Sequence, residues 1–203
     1  MQNITVNYAA GAADLALDLF GRAVADEELA AAAGALDGAA LNVSVRKGRE
    51  LFVEITHPLI VRQERGFRRD ASGELYIWNH YFEKRHDAPP GVGIRSFKTQ
   101  VAGARQLGVT RIELWAAGDA MDTSYNGYYT WARVGFNDSL SDAERKRLPR
   151  RFARVKTINE LIRRNGHQVW KEIGSAHKMT FDLADDSSMM MIFKAYLEEK
   201  GVG

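Results

Sequence analysis

A change of hydrophobic period at Leu41 is the feature that most constrains the fold. Leu41, Val43 and Val45 alternate with Asn42, Ser44 and Arg46, and Leu51, Val53 and Ile55 alternate with Phe52, Glu54 and Thr56. A period of two places one set of side chains on each face of a pleated strand. The two segments therefore predict antiparallel strands, joined by a turn at Arg46-Lys47-Gly48-Arg49. Pro58 fits an edge or bulge position, because it has no amide to give to a ladder. Asp70-Ala71-Ser72-Gly73 predicts a second turn before a strand at residues 74–84, completing a meander of three or four strands.

Helical patterns flank the meander. After a short strand at residues 4–8, Leu15, Leu19 and Val24 fall near one helical stripe. An alanine-rich run at 29–36 follows the acidic Asp26-Glu27-Glu28, whose charge suits a helix N-terminus. Beyond Pro89-Pro90, Ile94, Phe97, Val101, Ala104 and Leu107 predict a helix over 94–107 that Gly108 stops. A buried strand at 109–117 and a helix at 124–134 come next, and Ser141-Asp142-Ala143-Glu144 has the capping-box pattern. Residues 137–174 read as an irregular basic insertion, followed by a strand at 178–183 and a helix at 188–200. The order is that of an α/β protein of the α+β kind, and 203 residues suffice for a single domain, 1–203, with a substantial core.

The 28 basic and 26 acidic residues nearly cancel, so net charge says little about a polyanionic partner. The local distribution says more: Arg145, Lys146, Arg147, Arg150, Arg151, Arg154 and Lys156 concentrate positive charge in one segment. The absence of cysteine excludes disulfides, thiolate metal sites and a cysteine nucleophile, and it predicts a cytoplasmic protein. The start Met1-Gln2-Asn3-Ile4-Thr5 lacks the features of a signal peptide, and no apolar run reaches membrane-spanning length, so neither secretion nor membrane insertion is expected. His57, His80, His86, His167 and His177 show no metal-ligand spacing, so no metal is expected.

Chemistry concentrates at Pro90-Gly91-Val92-Gly93. A strand runs into a glycine-rich turn and a helix starts at once, so the unpaired amides of its first turn can accept an anionic diphosphate. Glycines at 91 and 93 let the backbone approach phosphate oxygens closely. The expected cofactor-binding residues are Gly91, Val92, Gly93, Ile94, Arg95 and Ser96, with Arg95 adding charge.

This region resembles the GCN5-related N-acetyltransferase (GNAT) family. The turn 88–93, the helix ending Ala104-Arg105-Gln106-Leu107-Gly108 and the strand Val109-Thr110-Arg111-Ile112-Glu113-Leu114 are similar to the family's motif A; Tyr128-Tyr129-Thr130-Trp131-Ala132-Arg133-Val134-Gly135-Phe136 is similar to its motif B. Together they cover about a third of the chain. The resemblance implies a mixed, mostly antiparallel central sheet flanked by helices. It also implies acetyl-coenzyme A, or another short acyl-CoA, as co-substrate and an amine of a small molecule or protein as acceptor. Two positions differ: Ala88 stands where the family usually has Arg or Gln, and Trp131 where a tyrosine often serves as general acid. Tyr128 or Tyr129 is then the expected donor to the leaving thiolate, and Glu83, His80 and His86 are the expected bases.

Each of these residues also has a plainer role. Tyr128, Tyr129 and Trp131 can be packing residues, Glu83 an ion-paired strand end, and the 145–156 segment a solvated helix face. A run of this kind is usually such a solvated face, and its less common uses are to meet nucleic acid, an acidic partner or a cofactor 3′-phosphate. Two further function classes therefore stand beside the enzyme: a catalytically inactive module with a protein partner, and a nucleic-acid-associated protein.

Overall fold

The computed structural model describes residues 3–47, 49–121 and 124–202. The chain is mixed α/β with a mostly antiparallel sheet, and it divides into two compact units, one running to Ile112 and the other Glu113–Gly201.

The first unit contains β1 (Thr5–Tyr8), α1 (Ala12–Phe20), α2 (Asp26–Ala33), β2 (Ala40–Arg46), β3 (Glu50–His57), β4 (Ile60–Arg69), β5 (Leu75–Lys84) and α3 (Val92–Gln106). Strands β1 to β5 lie side by side in chain order. β1 runs parallel to β2, and the pairs from β2 to β5 are antiparallel. The expected meander is thus four strands long. The 46–49 turn joins β2 to β3 at the pair Arg46↔Glu50, with Gly48 outside the described residues. In the 70–73 turn, Asp70 accepts hydrogen bonds from the Ser72 and Glu74 amides and the Ser72 hydroxyl. Register shifts between Ile55 and His57, beside Pro58.

Both N-terminal helices are shorter than their apolar stripes suggest. α1 stops at Gly21, so Val24 lies beyond it, and α2 stops at Gly34, before Leu36. α2 and α3 pack so closely that a Cβ on Gly103 would lie 2.4 Å from the Ala32 nitrogen. Leu29, Leu41, Val53, Phe67, Ile77, Phe97 and Ala104 form buried core here. Beneath the helices lies a polar layer. Gln63 donates to the Ala33 and Gly34 carbonyls, Ser96 donates to Gly34, and Asn79 and Gln100 exchange hydrogen bonds of 3.0 and 2.8 Å. Ala33 and Gly34 end α2, so this layer satisfies carbonyls that the helix itself leaves open.

β6 spans Arg111–Ala116. The second unit continues with α4 (Gly127–Arg133), α5 (Asp142–Arg147), a 3-10 turn (Arg150–Phe152), α6 (Ile158–Arg163), α7 (His167–Ile173), β7 (His177–Asp182) and α8 (Ser188–Lys200). The expectation of an irregular basic segment at 137–174 is corrected. Its Phe152, Val155, Ile158, Leu161, Trp170 and Ile173 are buried, so three short helices and a turn form much of this unit's core. Among the described residues, no helix is long and apolar enough to cross a membrane.

Candidate functional site

β5 leads into the glycine turn through Ala88, which is buried with Ile60 and Val92 against Leu36, Leu59 and Phe82. Gly91 caps α3 with φ 85° and ψ −5°, a left-handed conformation that strains any residue with a Cβ. The first intrahelical bond runs from Arg95 N to Gly91 O, so the amides of Val92, Gly93 and Ile94 precede the helical ladder. No acidic side chain occupies the first turn, and the exposed Arg95 reaches back to the Pro90 carbonyl at 3.4 Å. The position a Gly93 Cβ would take lies 3.4 Å from the Phe82 ring, an ordinary contact. Ser96 sits apart from this open turn: its side chain is buried and its hydroxyl is committed to the Gly34 carbonyl at 2.6 Å.

The strand feeding the turn is bulged. Arg65 faces Asn79 and Glu64 faces Tyr81, so His80 is one extra residue on β5. Bulges of this kind re-aim a side chain and interrupt the ladder. On the helix side, Arg65 is almost fully buried and donates to the carbonyls of Glu64 and Tyr81 at 3.0 and 2.7 Å. Burial brings its pKa down to about 9, and its Nε has no partner among the described residues.

The opposite face of the sheet holds a charged cluster. Phe52, Gly66 and Trp78 form a row across β3, β4 and β5. Because Gly66 has no side chain, the Glu50 carboxylate fills the space: a Cβ there would lie 1.7 Å from Glu50 Oε1. His80 Nε2 lies 2.7 Å from that oxygen, and Arg68 reaches it through Nη2 at 2.7 Å and Nε at 2.8 Å. Phe52 and Trp78 meet the His80 ring edge-on at 5.6 and 6.3 Å, and the Arg46 guanidinium covers Phe52. The Glu50 side chain is only 3% exposed. Burial pushes its carboxyl up, but the hydrogen bonds and charges of His80 and Arg68 outweigh that and hold it below the usual range. An ionised carboxylate only accepts, so Nε2 carries a proton, and when the ring is neutral the lone pair is on Nδ1. Nδ1 has no hydrogen-bond partner among the described residues.

The other expected site residues lie elsewhere. Glu83 is exposed near the end of β5, opposite Arg62, and makes no ion pair among the described residues; His86 is exposed in the following turn. Tyr128, in the second unit, is buried, with its hydroxyl donating to the Lys171 carbonyl at 2.8 Å and its ring against Trp170. Burial raises its pKa, assisted by the charge of Asp119. Tyr129 is half-buried beneath the Lys171 and Arg133 cations. Trp131 packs on Phe136 at 5.2 Å. The second unit also holds His177, bonded through Nδ1 to Asp138 at 2.7 Å and through Nε2 to Glu144 at 3.0 Å.

Strand register brings Glu50, Gly66 and Arg68 to His80, and no spacing in the sequence links the four. Among known proteins, no family model matches the chain and no curated protein matches it.

Proposed function

We propose that this protein is a cytoplasmic acyltransferase that moves an acetyl or short acyl group from acyl-coenzyme A to an amine of a small molecule or protein. The observation that carries this reading is the junction of bulged β5, the left-handed Gly91 cap and α3, a 15-residue helix whose first amides make no backbone hydrogen bond among the described residues. A diphosphate seated there accepts hydrogen bonds from the amides of 92–94, gains from the helix dipole and meets the Arg95 charge. The amine attacks the thioester carbonyl, its nitrogen loses a proton to a base, and the coenzyme A thiolate departs and is protonated. The sequence resemblance of residues 88–114 and 128–136 supports the same reading.

Titration calorimetry and thermal shift with coenzyme A and acetyl-coenzyme A test it, since a ligand of the native state raises stability by about 2.7 kcal/mol at a hundredfold excess over Kd. Binding is expected in the parent and lost in a folded Gly93→Val variant. Absence of binding to the parent overturns the proposal, and unchanged binding by the variant moves the diphosphate elsewhere.

One observation favours a second reading, a nucleic-acid-associated protein. Arg145 pairs with Asp142, and Arg147 caps the Glu172 and Ile173 carbonyls, but exposed Lys146, Arg150, Arg151 and Arg154 make no ion pair among the described residues. Binding through them must weaken steeply with salt, and Ala at 150, 151 and 154 must flatten that slope. No binding to DNA or RNA at low salt removes this reading.

A further inference from the structure

We propose that His80 is a general base, with Nδ1 as the proton acceptor and Glu50 and Arg68 as its positioning residues. The role assigned to the ring rests on the acyltransfer reading; its geometry does not.

A buried glutamate on a sheet face is unfavourable unless it is paired and hydrogen-bonded. Here three features combine to keep one: Gly66 vacates the space, Arg68 supplies two donors to one oxygen, and His80 supplies a third. Arg68 alone would neutralise the carboxylate, so the imidazole is not needed to balance the charge. What the imidazole gains is a fixed tautomer. With Nε2–H held by Glu50 and the ring edge-packed by Phe52 and Trp78, the unprotonated nitrogen of the neutral ring is Nδ1. His177 has both ring nitrogens bonded to carboxylates, whereas His80 Nδ1 has no hydrogen-bond partner among the described residues. Its side chain keeps 23% exposure, enough to be reached from solvent. The bulge makes His80 the extra residue of the strand that feeds the anion-binding turn. The charged group against it is Glu50, which Arg68 also holds; beyond these, Arg46 covers Phe52, and Glu64, paired with Arg62, faces Tyr81 beside the bulge.

In the reaction, Nδ1 takes the proton from the amine as its nitrogen bonds to the thioester carbon. The carbon–sulfur bond breaks with its electron pair going to sulfur, and the proton held on the imidazolium passes to solvent or to the departing thiolate. Acid and base forms are restored, and the products are an amide and free coenzyme A.

Nitrogen-15 NMR of histidine-labelled protein above neutral pH reads the tautomer directly. The expected result is His80 as the Nε2–H form in the parent, with an Nδ1–H population appearing in a folded Glu50→Ala variant. Diethylpyrocarbonate should modify His80 at a rate comparable with exposed His86, and His80→Gln should lose that product. An Nδ1–H tautomer in the parent, or a His80 inert while His86 reacts, overturns the proposal. Acetyl-coenzyme A with polyamine and lysine-peptide acceptors gives the functional arm: His80→Gln should bind coenzyme A as the parent does and release thiol roughly 10²- to 10⁴-fold more slowly. Full turnover by that variant also overturns it. A parent that fails to bind coenzyme A defeats the transferase reading instead, while the tautomer and modification results still decide whether His80 presents a free base.

Discussion

His80 and His177 each lie against a buried glutamate, yet the second ring nitrogen has opposite fates. In the second unit, His177 Nδ1 meets Asp138 and Nε2 meets Glu144, whose carboxylate also accepts from Ser175 and Ser141. Both nitrogens face carboxylates, so both donate and the ring is an imidazolium locked in place. In the first unit, Glu50 holds one nitrogen and the other has no hydrogen-bond partner among the described residues. A saturated imidazole fastens structure, and one with a spare lone pair can act on something else. Chain position reinforces the contrast: His177 opens β7 and ties it to α5, whereas His80 occupies a bulge that relaxes its strand.

The largest effect should come from breaking the saturated cluster. Glu144→Ala leaves a buried imidazolium with half its partners and removes the capping box that Glu144 makes with Ser141. Loss of one member of a buried pair costs about 3–5 kcal/mol. Urea unfolding followed by Trp170 fluorescence should show it, and a change under about 1 kcal/mol would mean the cluster is no more than a surface pair.

The Gly66 cradle comes next. Gly66→Ala puts a methyl where Glu50 Oε1 sits, and overpacking typically costs about 1–3 kcal/mol. The specific outcome is that Glu50 leaves His80, so the Nε2–H tautomer is lost by NMR while His177 is unchanged. A retained tautomer would show that Glu50 can hold His80 from another position.

The pH dependence separates the clusters further. The His177 pKa is raised above 6.5 by its hydrogen bond to Glu144, with burial opposing and Asp138 adding to the rise. Its stabilisation is therefore complete below pH 6.5 and is lost as pH climbs through the raised value. Burial pushes Glu144 up, but hydrogen bonds from His177, Ser175 and Ser141 bring it to about 2, so its contribution holds above pH 4.5 and disappears as pH falls towards 2. Thermal midpoints of the parent should fall on both sides of that range. His177→Gln should lose the alkaline fall, and an unchanged alkaline limb would place its origin in another group.

The contrast between the histidines was only partly legible in the sequence. Period-two alternation located β2 and β3, and Ser141 with Glu144 announced α5, because these signals are local. Val24 and Leu36 were misleading because a stripe of apolar residues does not reveal where Gly21 and Gly34 end a helix. In the 137–174 segment, six- and seven-residue helices are too short to display a period, and their apolar residues are scattered among arginines. His80 was recognisable as a candidate base from its strand. Its partner was not, since Glu50 reaches it only through the β3–β4–β5 register and the absent side chain at Gly66. The glycine turn was readable as a turn, but Ser96 was not readable as a residue committed to α2.

Tyr128 extends the same distinction from imidazole to phenol and gives the smallest expected effect. Helical geometry puts residue 128 nearly one turn before 131, on a similar face, so by sequence it is the better placed of the two phenols to donate to the thiolate. Its hydroxyl instead spends its proton on the Lys171 carbonyl, while Trp170 returns a hydrogen bond to the Tyr128 carbonyl at 2.9 Å. These bonds fasten α4 to α7, and a proton engaged in a buried structural bond is poorly available to a leaving group. Tyr128→Phe should therefore lower stability by about 1 kcal/mol through the unsatisfied carbonyl, with thiol release from acetyl-coenzyme A unchanged within a factor of two. Tyr129→Phe, which leaves that bond intact, should barely alter stability. A turnover loss of roughly 10²-fold or more in Tyr128→Phe, without a matching loss in coenzyme A binding, would overturn the structural role and restore this phenol as the acid.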